Sequence, residues 1–106
     1  MPKKYRLSRA DFQNMRSFRR VLGEYFSLSY GELPNRPFPG AACVVSAKAA
    51  ARAVDRNRIK RRCRAALSEY LKTNPRPTVV LYAKKGAAKA SFADIQKDIE
   101  RLLSKI

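Results

Sequence analysis

The chain has 106 residues, with 24 Lys and Arg against 8 Asp and Glu, no His, and a formal net charge of +16. Its 45% hydrophobic content suffices for one core, which excludes wholesale disorder and points to a single domain over residues 1–106. No apolar run approaches the ~20 residues of a membrane span and no signal core follows the charged start, so a cytoplasmic location is expected.

Residues 1–7 read as a basic arm, mobile or weakly ordered. Ser8 caps a helix predicted from Arg9 to about Val21, with Phe12, Met15, Phe18, Val21 and Leu22 on its apolar stripe and Gly23 ending it. Glu24 to Tyr30 alternates as a half-buried strand, Phe26, Leu28 and Tyr30 on one face, Tyr25, Ser27 and Ser29 on the other. Gly31 to Gly40, with Pro34, Pro37 and Pro39, is a loop in which a further short strand has room. Ala41 to Ser46 is more continuously apolar and is predicted to be a central strand. After an Ala-rich turn, a helix runs from about Asp55 to Lys72, and the Asn74-Pro75-Arg76-Pro77 stretch ends it. Thr78 to Ala83 is a third strand, Lys84 to Ala90 a basic loop, and Ser91 caps a last helix from Phe92 to about Ser104. The order implies an α+β fold, a small central sheet of three to four strands with helices packed on it.

An excess of this size in so small a domain calls for a polyanion, and nucleic acid is the commonest one. An anionic membrane suits it less, because the cations sit within a packed domain. The charge concentrates in the second predicted helix. Six of the nine residues from Arg56 to Arg64 are cationic, and Asp55 and Glu69 are the only nearby acids. On a helical wheel Ile59, Cys63, Ala66, Leu67 and Tyr70 share an arc of about 100°. Asn57, Lys60, Arg61 and Arg64 point away on one flank, Arg58 and Arg62 on the other, with Arg56 at the first turn. Like charges at this spacing oppose helix formation unless phosphates meet them. Arg grips phosphate bidentately or stacks on a splayed base, and the aromatics Phe12, Phe18 and Tyr25 lie near further cations at Arg9, Arg16, Arg19 and Arg20.

Protein-based catalysis has little to work with. The acids are scattered, Asp94 and Asp98 read as a solvated helix face, and no Gly-rich phosphate loop is present. Cys43 and Cys63 cannot complete a four-ligand zinc site and read as small buried hydrophobes. On the residues alone, a structural binder of ribosomal RNA stays open as an alternative.

The stretch Val44-Val45-Ser46-Ala47-Lys48, followed by Ala53-Val54-Asp55-Arg56-Asn57-Arg58-Ile59-Lys60-Arg61-Arg62-Cys63-Arg64, strongly resembles the core of the bacterial ribonuclease P protein subunit. The likeness extends to Leu7 through Gln13, to Val79 through Lys85 and to the closing helix. It implies a ribosomal protein S5 domain 2-like fold with a left-handed βαβ crossover, which the generic handedness rule does not predict. It also implies a ribonucleoprotein endonuclease that removes the 5′ leader of precursor tRNA. In the family the catalyst is an RNA working with magnesium, and neither a membrane nor a small-molecule substrate is involved. The implied contacts to the catalytic RNA are Arg56, Asn57, Arg58, Lys60, Arg61, Arg62 and Arg64. The implied leader cleft is Phe12, Arg16, Ser27, Ser29 and Lys48. Arg16 stands where the family often has a second aromatic and Ser29 where it often has a bulkier residue, so leader contacts are expected to rely more on charge and less on stacking. Ala47 replaces a usual Lys, and Asp55 sets an acid before the motif, where capping is its one evident role.

Overall fold

The computed structural model describes residues 5–33, 39–73 and 77–106. Its elements are α1 (Arg9–Gln13), β1 (Arg19–Leu22), β2 (Phe26–Gly31), β3 (Ala41–Val44), α2 (Ala53–Thr73), β4 (Thr78–Ala83), a 3-10 turn over Lys85–Ala88, and α3 (Phe92–Leu103). The sheet order is β1-β2-β4-β3, with β3 and β4 parallel and the other pairs antiparallel. The parallel pair is joined through α2, which is the expected βαβ unit.

Residues paired across strands share a face, so the register divides the sheet in two. Val21, Phe26, Leu28, Leu81, Val79, Ala41 and Cys43 lie on one face. There they pack with Ile59, Cys63, Leu67 and Leu71 of α2 and Ile95, Ile99 and Leu102 of α3 into one core. Arg20, Leu22, Ser27, Ser29, Val80, Tyr82, Ala42 and Val44 lie on the other face. None of these belongs to the core cluster.

The predicted first helix is much shorter than its apolar spacing suggested. Ser8 and Asp11 form a reciprocal capping box, with Ser8 N–H to Asp11 at 2.8 Å and Asp11 N–H to Ser8 at 3.2 Å. Asn14 then ends the helix, its side-chain amide on the Ala10 carbonyl at 3.0 Å. Residues 19–22, expected to finish that helix, are instead β1, which makes the sheet four-stranded. The proline-rich stretch thought able to hide one falls largely outside the described residues.

What turns this segment into a strand is Asp98. It does not stand on a solvated face, as its Lys and Arg neighbours suggested: it is 2% exposed. Its carboxylate accepts the backbone N–H groups of Glu24, Tyr25 and Phe26 at 3.0, 2.9 and 3.0 Å. Gly23 closes the hairpin to the Phe26 carbonyl at 2.8 Å. A Cβ on Gly23 would sit 2.8 Å from that carbonyl oxygen and 2.9 Å from the carboxylate, so a larger residue would push the two apart. Lys84 Nζ holds the Gly23 carbonyl from the other side at 2.6 Å. Tyr25, at the turn, packs with the core and not beside Ser27 and Ser29 as predicted.

The strand predicted as central is an edge. β3 pairs only with β4 among the named strands, and its free side is met by Arg6, bridged to Ala41. That bridge also orders the end of the basic arm: Tyr5 packs against the core, and Leu7 fits so closely against Gly40 that a Cβ there would collide with it. β3 reads as buried because α2 covers one face and the arm its free edge.

Asp98→Ala strands three amides under the hairpin and should cost about 3 kcal/mol or more. Asp98→Asn should cost less, because one oxygen can still serve Tyr25 and Phe26. Urea denaturation, with hydrogen exchange at residues 24–26, checks both the size and the order.

Candidate nucleic-acid interface

α2 carries the predicted basic run, and its buried side is as the wheel placed it. Ile59, Cys63 and Leu67 are at most 1% exposed. Cys63 donates toward Cys43 across the core, and that contact together with burial pushes its thiol pKa up, away from the reactive thiolate. The two cysteines are packing residues.

The cations divide into three groups. Arg56 turns inward, its guanidinium on the Ala50 and Ala51 carbonyls at 2.9 and 2.8 Å, and ties the preceding turn to the helix. Arg58 also has protein partners, Asp55 at 3.1 Å and the Ala88 carbonyl at 3.3 Å. Asp55 therefore does more than favour the helix N-terminus: it pairs with Arg58 and, at 3.8 Å, with Arg52. Arg62 stacks on Phe92 of α3, its guanidinium carbon 5.3 Å from the ring centroid. Asn57, Arg61 and Arg64 are exposed and Lys60 is half-exposed. Among the described residues, none of the three cations Lys60, Arg61 and Arg64 has an ion-pair partner. Of the predicted surface, this flank is the part open to a polyanion.

The second site lies on the opposite face of the sheet. A cleft of about 440 Å³ is lined by Phe12, Met15, Arg16, Phe18, Arg20, Ser29 and Tyr82. It brings together Phe12, Arg16 and Ser29 of the predicted cleft. Ser27 sits one row further along the same face, paired with Leu22 and Tyr82. Lys48 is not among the lining residues and is exposed in the turn after β3. Ser27 and Ser29 are 8% and 7% exposed, so their small side chains form a floor. Sequence reasoning missed Arg20 and Tyr82 as cleft residues. Arg20 was placed on a helix, and the β4 run was read as a strand without dividing its faces, although Tyr82 and Val80 alternate with the core residues Val79 and Leu81.

A larger groove of about 900 Å³ runs between α2 and α3, lined in part by Tyr70, Phe92 and Leu103. Glu69 and Glu100 stand on it, which disfavours phosphate there. Among the described residues no group of three or more His, Cys, Asp or Glu is placed to hold a metal. No helix among them is long and apolar enough to cross a membrane.

Arg56→Ala leaves two carbonyls without their donor and should lower stability by about 1–3 kcal/mol. Arg61→Ala and Arg64→Ala should stay within about 0.5 kcal/mol of the parent, as exposed substitutions do. Chemical denaturation of the three variants checks the contrast.

Comparison with known proteins agrees with the geometry. The family model for ribonuclease P matches residues 1–106. The ribonuclease P protein component of Acidothermus cellulolyticus is 40% identical, over 100% of this chain and 91% of the relative. The ribonuclease P protein of Staphylococcus aureus superposes with a TM-score of 0.85 at 24% identity, covering 95% of this chain and 94% of that one. That of Thermotoga maritima, solved with 1-(4-fluorophenyl)-2-thiourea, gives 0.81 at 22% identity, covering 95% and 99%. These two likenesses establish the α+β fold; the full-length family match and the Acidothermus relative establish the family. With its open basic flank on one side of the sheet and its cleft on the other, the chain belongs to the ribonuclease P protein family.

Proposed function

We propose that the chain, as the protein component of ribonuclease P, holds two RNAs on two sides of its sheet. The α2 flank of Asn57, Lys60, Arg61 and Arg64 docks on the catalytic RNA. The cleft between α1 and the open sheet face takes the single-stranded 5′ leader of precursor tRNA. The observation that carries this is the division of the sheet: the flank and the cleft lie on opposite faces, so one strand of RNA does not serve both. Arg56 and Arg58 support the flank by fixing the start of the helix, and they contribute charge rather than first contact.

Leader cleavage in this proposal belongs to the RNA. The acids of the protein do not fit a magnesium site, because several are already engaged. Asp98 binds three amides, Asp55 two arginines, Asp11 the Ser8 amide, and Glu100 the Gln96 side chain. In this reading the RNA holds the magnesium that the family resemblance implies, and the protein acts in the cytoplasm.

Protein cations that neutralise phosphate reduce the need for magnesium to do so. Adding the protein to a bacterial ribonuclease P RNA should therefore move precursor-tRNA cleavage to lower magnesium. An absence of stimulation at every magnesium concentration would overturn the proposal, and co-sedimentation with ribosomal particles would favour the ribosomal RNA binder. For the flank, Arg61→Ala and Arg64→Ala should each reduce the slope of log affinity against log salt by about 0.7–0.9. Filter binding to the catalytic RNA across a salt series measures it.

A further inference from the structure

We propose that Tyr82, with Arg20 against its ring, is a base-stacking station of the cleft that takes one leader nucleotide. The inference rests on the leader reading above and deepens it. Arg16, in the turn after α1, stands where an aromatic was expected, which leaves Phe12 as the one ring that this helix offers. The sheet supplies another. Tyr82 is paired with Ser27 and with Val44, so its side chain leaves the sheet on the open face. Its neighbour Leu81 goes to the core and is 0% exposed.

Three observations set Tyr82 apart from a packing residue. It is half-buried and lines the cleft together with Phe12, from the opposite wall. Its β2 neighbours Ser27 and Ser29 are small, so the Arg20 side chain reaches across that strand to the ring. The Arg20 guanidinium carbon stands 5.5 Å from the ring centroid, so the ring already attracts a planar cation. Phe18, the third aromatic of the lining, is committed elsewhere: its ring lies over Gly31, where an added Cβ would come within 2.5 Å. A base that stacks on Tyr82 brings its phosphate within reach of Arg20, so stacking and charge act on the same nucleotide. The cleft volume of about 440 Å³ is in the range of sites that enclose small ligands.

The test uses the holoenzyme reconstituted with ribonuclease P RNA. Precursor tRNAs carry an abasic nucleotide at each leader position in turn, and affinity is measured relative to mature tRNA. With the parent protein, one position should lose about tenfold on becoming abasic. Tyr82→Leu should lose the same factor with the intact leader and then be indifferent to the abasic nucleotide there, whereas Tyr82→Phe should keep the sensitivity. Arg20→Gln, an exposed substitution that leaves the core untouched, should weaken every leader and reduce the salt slope while keeping the sensitive position. If Tyr82→Leu senses the abasic scan as the parent does, or Tyr82→Phe loses the sensitivity, Tyr82 is not a stacking station. If the parent protein itself gives precursor tRNA no advantage over mature tRNA, the leader reading fails first and the station falls with it.

Discussion

A carboxylate with almost no exposure to water, Asp98 of α3, accepts three consecutive amides at the tip of the β1–β2 hairpin. Burying that charge is tolerable because those donors replace its hydration. The consequences run outward. The amides can point together only if the chain reverses at Gly23, and that reversal lays β1 beside β2. With β1 in place, Arg20 and Leu22 come onto the open face while Val21 joins the core. The short segment left between α1 and β1 then carries Phe18 back over Gly31. The Arg20 and Phe18 sides of the cleft thus depend on one helix residue more than seventy positions further along the chain.

The distribution of acids explains how so basic a chain folds. Asp98, Asp55 and Asp11 act inside the protein, on amides and on cations that packing has brought close. Asp55 in particular offsets repulsion at the most crowded point, the first turn of α2, where Arg52, Arg56 and Arg58 converge. Further along, Lys60, Arg61 and Arg64 have no ion-pair partner among the described residues. Their mutual repulsion is the part of the electrostatic cost left for a partner to relieve, and binding that relieves it also stabilises the folded state by mass action.

Elements whose cause is local were legible in the sequence. The Ser8 and Ser91 caps, the buried stripe of α2 and the β4 strand all follow from neighbours within a turn or from simple alternation. The failures share a different cause. Val21 and Leu22 fit a helical stripe as well as a strand, and only Asp98 decides between them. Asp98 in turn looked solvated because its helix neighbours are charged; its partners come from a turn far away in sequence. β3 read as central because apolar composition reports burial, and burial here comes from α2 and the arm rather than from two flanking strands. The motif named seven contacts to RNA as equals, yet the hydrogen bonds of Arg56 and Arg58 depend on the positions of the Ala50, Ala51 and Ala88 carbonyls, which no helical wheel contains.

The same limitation shaped the view of the cleft. Judged from Arg16 alone, an aromatic was missing and charge had to replace stacking. The register supplies a ring from the sheet instead, at a position where a strand's alternation places it with no help from α1. A single-stranded ligand needs stacking surface at a certain depth and direction, and it is indifferent to which element provides it. A strand is also the more rigid support, since Tyr82 is held in register by β2 on one side and β3 on the other, whereas α1 is a helix of 5 residues with no buried residue of its own. Moving a ring from such a helix to the inner sheet exchanges an adjustable contact for a fixed one. A fixed ring also takes a base at a smaller entropic cost than a mobile one, because it need not be ordered on binding.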